Sequence, residues 1–249
     1  MHADEVTGWY GKLPSLGDFA SRRLPPAFVE PWDDWLARGL AGWREQSPDG
    51  WLDGYLASPS WRFVLMPGVL AGASADGSAA WAGVLMPSVD RVGRYFPLTL
   101  ARPLPTLPAG SADLNDLLGW LQRLDDLALD ALHDDWPVDR LETELGGLGG
   151  WAPATRQAAD AGLPDRWAAS AQLDVRPRGG IAELLTASAH DALLQGLHAK
   201  ALWLSDDGRG QPILRVTAGL PSGADFPALL SRTADPIHSS ISLDPQGTP

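Results

Sequence analysis

Two segments of this chain gather residues able to recognise a charged or polar group. The first is Gly11-Lys12-Leu13-Pro14-Ser15-Leu16-Gly17-Asp18-Phe19, followed closely by Arg22-Arg23. The second is Pro87-Ser88-Val89-Asp90-Arg91-Val92-Gly93-Arg94-Tyr95-Phe96-Pro97. Each combines turn glycines with an Asp and Arg at short range. Arginine presents a planar fork of donors, and a carboxylate accepts such donors in pairs. Two uses follow. Asp–Arg bridges can pin the two loops onto a sheet, or the loops can form a polar recognition site. In a variant of the second use, a pocket between them holds an anion, with Arg22, Arg91 and Arg94 as its clamp.

Other chemistries fail on residue type or spacing. Gly11-Lys12 is not a phosphate loop, because Leu13 stands where Ser or Thr must reach magnesium. Gly147-Leu148-Gly149 lacks the third glycine of a dinucleotide fingerprint, which Ala152 replaces. The histidines His2, His133, His190, His198 and His238 form no i, i+4 pair, and a helical His190 and His198 would lie about two turns apart. No GxSxG elbow occurs, and Ser88 has no histidine near it in sequence. The adjacent acids Asp33-Asp34, Asp125-Asp126, Asp134-Asp135 and Asp206-Asp207 would diverge by about 100° on a helix, so they make no catalytic dyad. With no cysteine, disulfides, thiolate metal sites and thiol nucleophiles are excluded. The expectation is a protein without catalytic activity, metal or cofactor.

The 249 residues carry a formal charge of −12, which argues against nucleic acid and anionic membrane as partners. Residues 1–105 hold 9 basic and 11 acidic side chains, whereas residues 106–249 hold 10 and 20. Most of the excess lies in Asp113–Glu144, which is either a solvated helix face or an acidic docking surface. The first residues lack the basic and apolar regions of a secretory signal, and no apolar run approaches the ~18–20 residues of a membrane span. A cytoplasmic protein is expected. Tryptophan occurs 12 times, enough to anchor helices, an interaction surface, or both.

The elements that must hold the two loops can be read from periodicity. Val6–Tyr10 reads as a strand. After Pro25-Pro26, the residues Phe28, Val29, Trp32, Trp35, Leu36, Leu40 and Trp43 recur at helical spacing. A short helix follows at Gly50–Leu56. Trp61–Met66, Gly68–Ala73, Ala79–Met86 and Tyr95–Arg102 read as strands, too closely spaced for crossovers and therefore antiparallel. Leu114, Leu117, Leu118, Leu121, Leu124, Ala128 and Leu132 make the stripe of another helix, which Ser111 or Asp113 would cap. The Gly-rich stretch Gly146–Gly150 and a less periodic region follow. Ile181–Leu197 reads as a helix, Lys200–Ser205 and Pro212–Thr217 as a hairpin, and Ala224–Arg232 as a last helix. The fold class is α+β, a mainly antiparallel sheet with packed helices, with a mixed sheet left open. Residues 1–233 are expected to form one domain, with a subdomain boundary near 103–110, and 234–249 a flexible tail.

Three stretches resemble one family closely. GWYGKLPSLGDFASRRLPPAFVEPWDDWLARGL at Gly8–Leu40, WLDGYLASPSWRFVLMPGVLAG at Trp51–Gly72 and GVLMPSVDRVGRYFPLTLARPLP at Gly83–Pro105 are similar to TagF, an accessory protein of bacterial type VI secretion. Lys200–Ser205 and Gly219-Leu220-Pro221 match more weakly, with Leu204 where the family commonly carries a second Trp. The resemblance implies a post-translational repressor, linked to the forkhead-associated (Fha) scaffold, a PP2C-type phosphatase and a Ser/Thr kinase, and acting by sequestration. Binding surfaces rest on a few Arg and aromatic anchors. The candidates are Asp18, Arg22, Asp90, Arg91 and Arg94 in the loops, together with Trp203, for which a place in the core is the competing reading.

Overall fold

The structure, a computed structural model, describes residues 6–70, 79–108, 110–153, 193–206, 208 and 210–230. Strands β1 (Gly8–Gly11), β2 (Ala20–Arg22), β3 (Trp61–Leu65), β4 (Ala80–Met86), β5 (Leu98–Leu104), β6 (Lys200–Asp206) and β7 (Pro212–Ala218) form one sheet in the order β2-β1-β5-β4-β3-β6-β7. Every pairing is antiparallel, and the class is α+β. The sheet draws on both halves of the sequence, because β6 pairs with β3.

Helices cover both faces. On one side lie α1 (Pro26–Gln46), α2 (Trp51–Leu56) and a short helix α5 (Asp225–Leu230). α1 buries the expected stripe, Phe28, Trp32, Trp35, Leu36, Leu40 and Trp43. These pack on Trp61, Phe63, Trp81 and Trp203 from the strands. α5 can approach α1 closely because Gly39 has no side chain: a Cβ there would lie 2.3 Å from the Phe226 ring. The other face packs Trp9, Ala82, Val84, Leu98 and Leu100 beneath α3 (Ser111–His133) and α4 (Val138–Leu148). β4 lies between the two layers and is buried along its whole length.

Some expectations need correction. Residues 67–70 form a turn, so no strand starts at Gly68, and residues 71–73 of that reading lie outside the described residues. Leu70 still reaches the core, which accounts for the apolar character that suggested a strand. β5 starts at Leu98, later than Tyr95, because Tyr95–Pro97 complete the preceding loop. β2 was not anticipated. The N-cap residue of α3 is Gly110, ahead of the expected Ser111 or Asp113. α4 runs through Gly146 and Gly147, since burying Leu141 and Leu145 outweighs the roughly 1 kcal/mol cost of each helical glycine. The tail at 234–249 and most of the helix expected at Ile181–Leu197 lie outside the described residues, and residues 193–196 are helical.

The α3–sheet contact encloses a carboxylate. Asp125 accepts a hydrogen bond from Ser60 Oγ and lies 3.9 Å from Arg62 Nε. Burial pushes its pKa up, Ser60 and Arg62 oppose this, and the charges of Asp126 and Asp206 add to the rise. A carboxyl that binds protons more tightly when folded stabilises the fold below its unfolded pKa, and that contribution fades as pH rises through the folded value. Asp125→Asn is therefore expected to raise the melting temperature at pH 7–8 and to flatten its pH dependence over the range from the ordinary aspartate value, about pH 4, up to pH 8. Thermal unfolding of both proteins across that range checks it, and a lower melting temperature for the variant at pH 8 would refute it.

Candidate functional site

The segment 12–19 joins β1 to β2, and the segment 87–97 joins β4 to β5. Gly11 and Met86 both pair with Leu98, so the two loops leave the sheet at the same end. Gly11 is required there: its φ is 125°, and a Cβ would sit 2.1 Å from the Pro97 carbonyl oxygen.

The loops are joined by hydrogen bonds. The Arg91 amide donates to the Leu16 carbonyl at 2.9 Å, and Ser88 Oγ donates to the Lys12 carbonyl at 2.7 Å. The Arg94 guanidinium donates to the Gly17 carbonyl. Lys12 Nζ lies 3.1 Å from Asp90 Oδ2 and 3.3 Å from the Arg94 carbonyl oxygen. From below, the Ser88 amide donates to the Tyr55 hydroxyl at 2.8 Å, and that hydroxyl donates to the Ser88 carbonyl at 2.9 Å. Burial pushes the Tyr55 phenol well above its ordinary pKa, so it stays protonated and able to donate. Ser15 Oγ donates to the Trp136 carbonyl at 2.8 Å, tying the first loop to the corner between α3 and α4.

Asp90 is the hub. Its Oδ1 accepts the amides of Val92 at 3.0 Å and Arg94 at 2.9 Å, and its Oδ2 accepts Arg94 Nε at 2.7 Å. Desolvation alone would raise its pKa. The Arg94 amide, the Lys12 ammonium, the Arg94 guanidinium and the Val92 amide together outweigh that and hold the carboxyl well below the usual range. Asp90 is thus ionised at neutral pH in the interior, with both carboxylate oxygens engaged.

The double loop has an inner and an outer surface. Asp90 and Lys12 are buried, with Lys12 at only 4% exposure. The outer surface presents Asp18, Phe19, Arg91, Val92 and Arg94. Phe19 is 44% exposed and Val92 64%, high values for large apolar residues on braced loops. Arg94 has a neighbour in Asp18 at 3.8 Å, whereas the Arg91 guanidinium lies over Gly17 with no carboxylate in contact. Beside the loops a depression of about 530 Å³ is lined by Tyr10, Phe19, Asp33, Arg44, Tyr95 and Phe96, among others. The rings of Phe19 and Phe96 meet edge-on at 4.8 Å, Tyr10 donates to Asp33, and Arg44 stacks on Trp51 at 4.1 Å. The surface sets exposed apolar and aromatic side chains among charged ones, and Arg91 has no carboxylate partner among the described residues.

The remaining candidates fall elsewhere. Arg22 sits exposed on β2, opposite Trp9, and its Nη1 donates to the Ser21 carbonyl. Its neighbour Arg23 makes the structural contacts, to the Thr7 carbonyl and to Glu142 of α4, which also accepts Trp9 Nε1 at 2.6 Å. Burial would raise the pKa of Glu142, but Arg23 and Trp9 lower it. The three arginines do not form one clamp: Arg91 and Arg94 both reach Gly17, where Arg94 is tied to Asp90 and the Gly17 carbonyl, Arg22 stands apart on β2, and the depression beside the loops is lined by none of the three. Trp203 lies fully buried among Trp32, Trp35 and Phe63 and presents no surface. Lys12, Tyr55, Ser88 and Arg23 were not among the site candidates drawn from the sequence. The first three act through partners that only the sheet brings near. Among the described residues, no three His, Asp or Glu side chains gather to hold a metal ion, and no helix is long and apolar enough to cross a membrane.

The TagF N-terminal domain, a type VI secretion system-associated family, matches residues 8–148, which include both loops and α1 to α4. The chain belongs to the TagF family. The crystal structure of PA0076 from Pseudomonas aeruginosa PAO1, at 2.05 Å resolution, is similar with 35% sequence identity and a TM-score of 0.67. The match covers 98% of this chain and 100% of that one. No curated protein matches the chain. This TagF chain is thus associated with type VI secretion, and its strands β6 and β7 and helix α5 lie beyond the matched domain.

Proposed function

We propose that this chain is a non-enzymatic, post-translational negative regulator of type VI secretion. It binds the Fha scaffold, or another component of the apparatus, and withholds it from assembly. The regulatory circuit is one in which a Ser/Thr kinase and a PP2C-type phosphatase oppose each other. The family supports the association with secretion. The observation that carries the binding role is the double loop: a network of buried hydrogen bonds holds Phe19, Val92 and Arg91 exposed on a rigid support. Preorganised aromatic and Arg anchors bind with little ordering cost.

The test is co-elution with the Fha scaffold of the same system on a sizing column, followed by calorimetry. The wild-type chain is expected to form a complex. A variant carrying Phe19→Ser, Arg91→Ala and Val92→Ser is expected to bind roughly 10–100-fold more weakly at an unchanged melting temperature. Equal affinity would move the interface away from the loops. No complex at tens of micromolar would exclude the scaffold as the sequestered component.

A further inference from the structure

The far edge of the sheet carries a second surface, unrelated to the loops. Along β6 and β7, alternate residues turn to opposite faces. Ala201, Trp203, Ile213, Arg215 and Thr217 face the α1 layer, where Trp203 donates to Thr217 and Arg215 donates to carbonyls of α5. Leu202, Leu204, Leu214 and Val216 face the α3 layer. Register places Leu202 opposite Val216 and Leu204 opposite Leu214, so the four form one compact apolar floor. α3 packs over β4 and β3, and this floor continues beyond them: Leu214 is 59% exposed and Val216 49%.

The flank of α3 beside the floor is acidic. Gln122, Asp126 and Leu129 follow at i, i+4 and i+7 and share that flank, and Leu129 is 48% exposed. Asp206, at the end of β6, lies on the same sheet face as the leucines. Ser60 donates to Asp125 and its carbonyl accepts from Ser205 Oγ at 2.8 Å, one residue before Asp206, while Asp126 accepts from Gln122 at 2.8 Å one residue after Asp125, so the three carboxyl groups gather at one corner. Among the described residues, the cation at this corner is Arg62, which is already engaged by Gln122 and Asp125, and Lys200 stands at the opposite end of β6.

Charge decides the occupant. A second copy would bring another such carboxylate corner, on a chain of net charge −12, against the first. An anionic membrane would be repelled in the same way. A partner with basic residues around an apolar stripe satisfies both parts of the surface. Spacing favours a helix: Leu202 and Leu204 are about 6.7 Å apart along the strand, and residues i and i+4 of a helix rise about 6 Å. We infer that the α3-side face of β6–β7 docks an amphipathic, basic helix of a partner protein, its apolar stripe on Leu202, Leu204, Leu214 and Val216 and its Lys or Arg side chains at Asp126 and Asp206.

The probe is a fluorescein-labelled Leu/Lys peptide of about 18 residues with leucines at i, i+3, i+4 and i+7, and the control carries Glu for every Lys. Fluorescence anisotropy with the full-length chain should show saturable binding of the Leu/Lys peptide and none of the control. Leu214→Glu with Val216→Glu should weaken binding at least roughly tenfold, although the added negative charge would strengthen any purely electrostatic contact. Leu214→Ser with Val216→Thr serves the same purpose should the charged pair unfold the edge, and Asp126→Lys should weaken binding severalfold. Equal affinity for wild type and these variants, or no saturable binding to wild type, would overturn the inference. A wild-type dimer that the double variant converts to monomer would assign the face to a second copy and overturn it as well.

Discussion

Replacing Trp203 with alanine is expected to destabilise the chain by about 3–5 kcal/mol, a large share of the roughly 5–15 kcal/mol that holds a domain together. The side chain is fully buried. Its ring centroid lies 5.7 Å from that of Trp35, 5.9 Å from Phe63 and 6.4 Å from Trp32. Its indole N–H donates to Thr217 Oγ1 at 3.1 Å. Alanine leaves a cavity among rings that cannot collapse together, because each is held separately. Trp32 Nε1 donates to Thr99 Oγ1 at 2.9 Å and Trp35 Nε1 to the Pro221 carbonyl at 2.6 Å. Denaturant unfolding measures the loss. Trp203→Phe should retain more than half of the stability and all of the affinity for a partner. If the Phe variant stays folded but loses partner binding, Trp203 acts at an interface and the core assignment fails. Residues 200–218, beyond the matched domain, thus complete the core that α1 begins.

The second large effect is expected at Asp90. Asp90→Ala removes the acceptor for two amides, a guanidinium and the buried Lys12 ammonium at one stroke. Removing one member of a buried ion pair strands the other, and the melting temperature should fall by roughly 10 °C. Asp90→Asn should fall nearly as far, since it preserves shape but not charge. The pH dependence has a definite sign. The folded carboxyl titrates below the ordinary aspartate value, so its stabilisation is present above about pH 4 and is lost as pH falls further. Wild type should therefore lose more stability than Asp90→Asn between pH 4 and pH 2.5, measured by urea unfolding. Parallel acid limbs would show that Asp90 does not carry the clamp. Because the loops present Phe19, Arg91 and Val92, the same variants should weaken partner binding even where most molecules remain folded.

Much of the fold was legible because single elements announce themselves. α1, α3, β3 and the β6–β7 hairpin show helical or strand periodicity and β4 a continuous apolar run; α1 and β3 turn their apolar faces to the core as expected, whereas α3 leaves Leu114 exposed and buries Trp120 and Ala131 instead, and β7 leaves Leu214 and Val216 exposed. The failures arise where an apolar residue is used outside regular structure. Val69 and Leu70 pack on the core from a turn, and Tyr95 and Phe96 do so from a loop, so β-prone composition was mistaken for strand. β2, only three residues long, has too short a pattern to read.

The loops divide the same way. That Asp90 would meet Arg94 follows from four residues of separation and an intervening glycine, a local matter that the sequence determines by itself, as it does the net charge, the absence of thiol chemistry and the family motifs. That Asp90 would also hold Lys12, that Arg94 would reach Gly17, and that Arg23 rather than Arg22 would pair with Glu142 was decided by tertiary structure alone. These partners are 77 to 119 residues apart, and a charge has no preference among distant opposites until strand order and register bring one of them within reach. The exposure of Phe19 and Val92 was decided there too, because an apolar side chain seeks burial by default and stays outside only when a braced backbone holds it there.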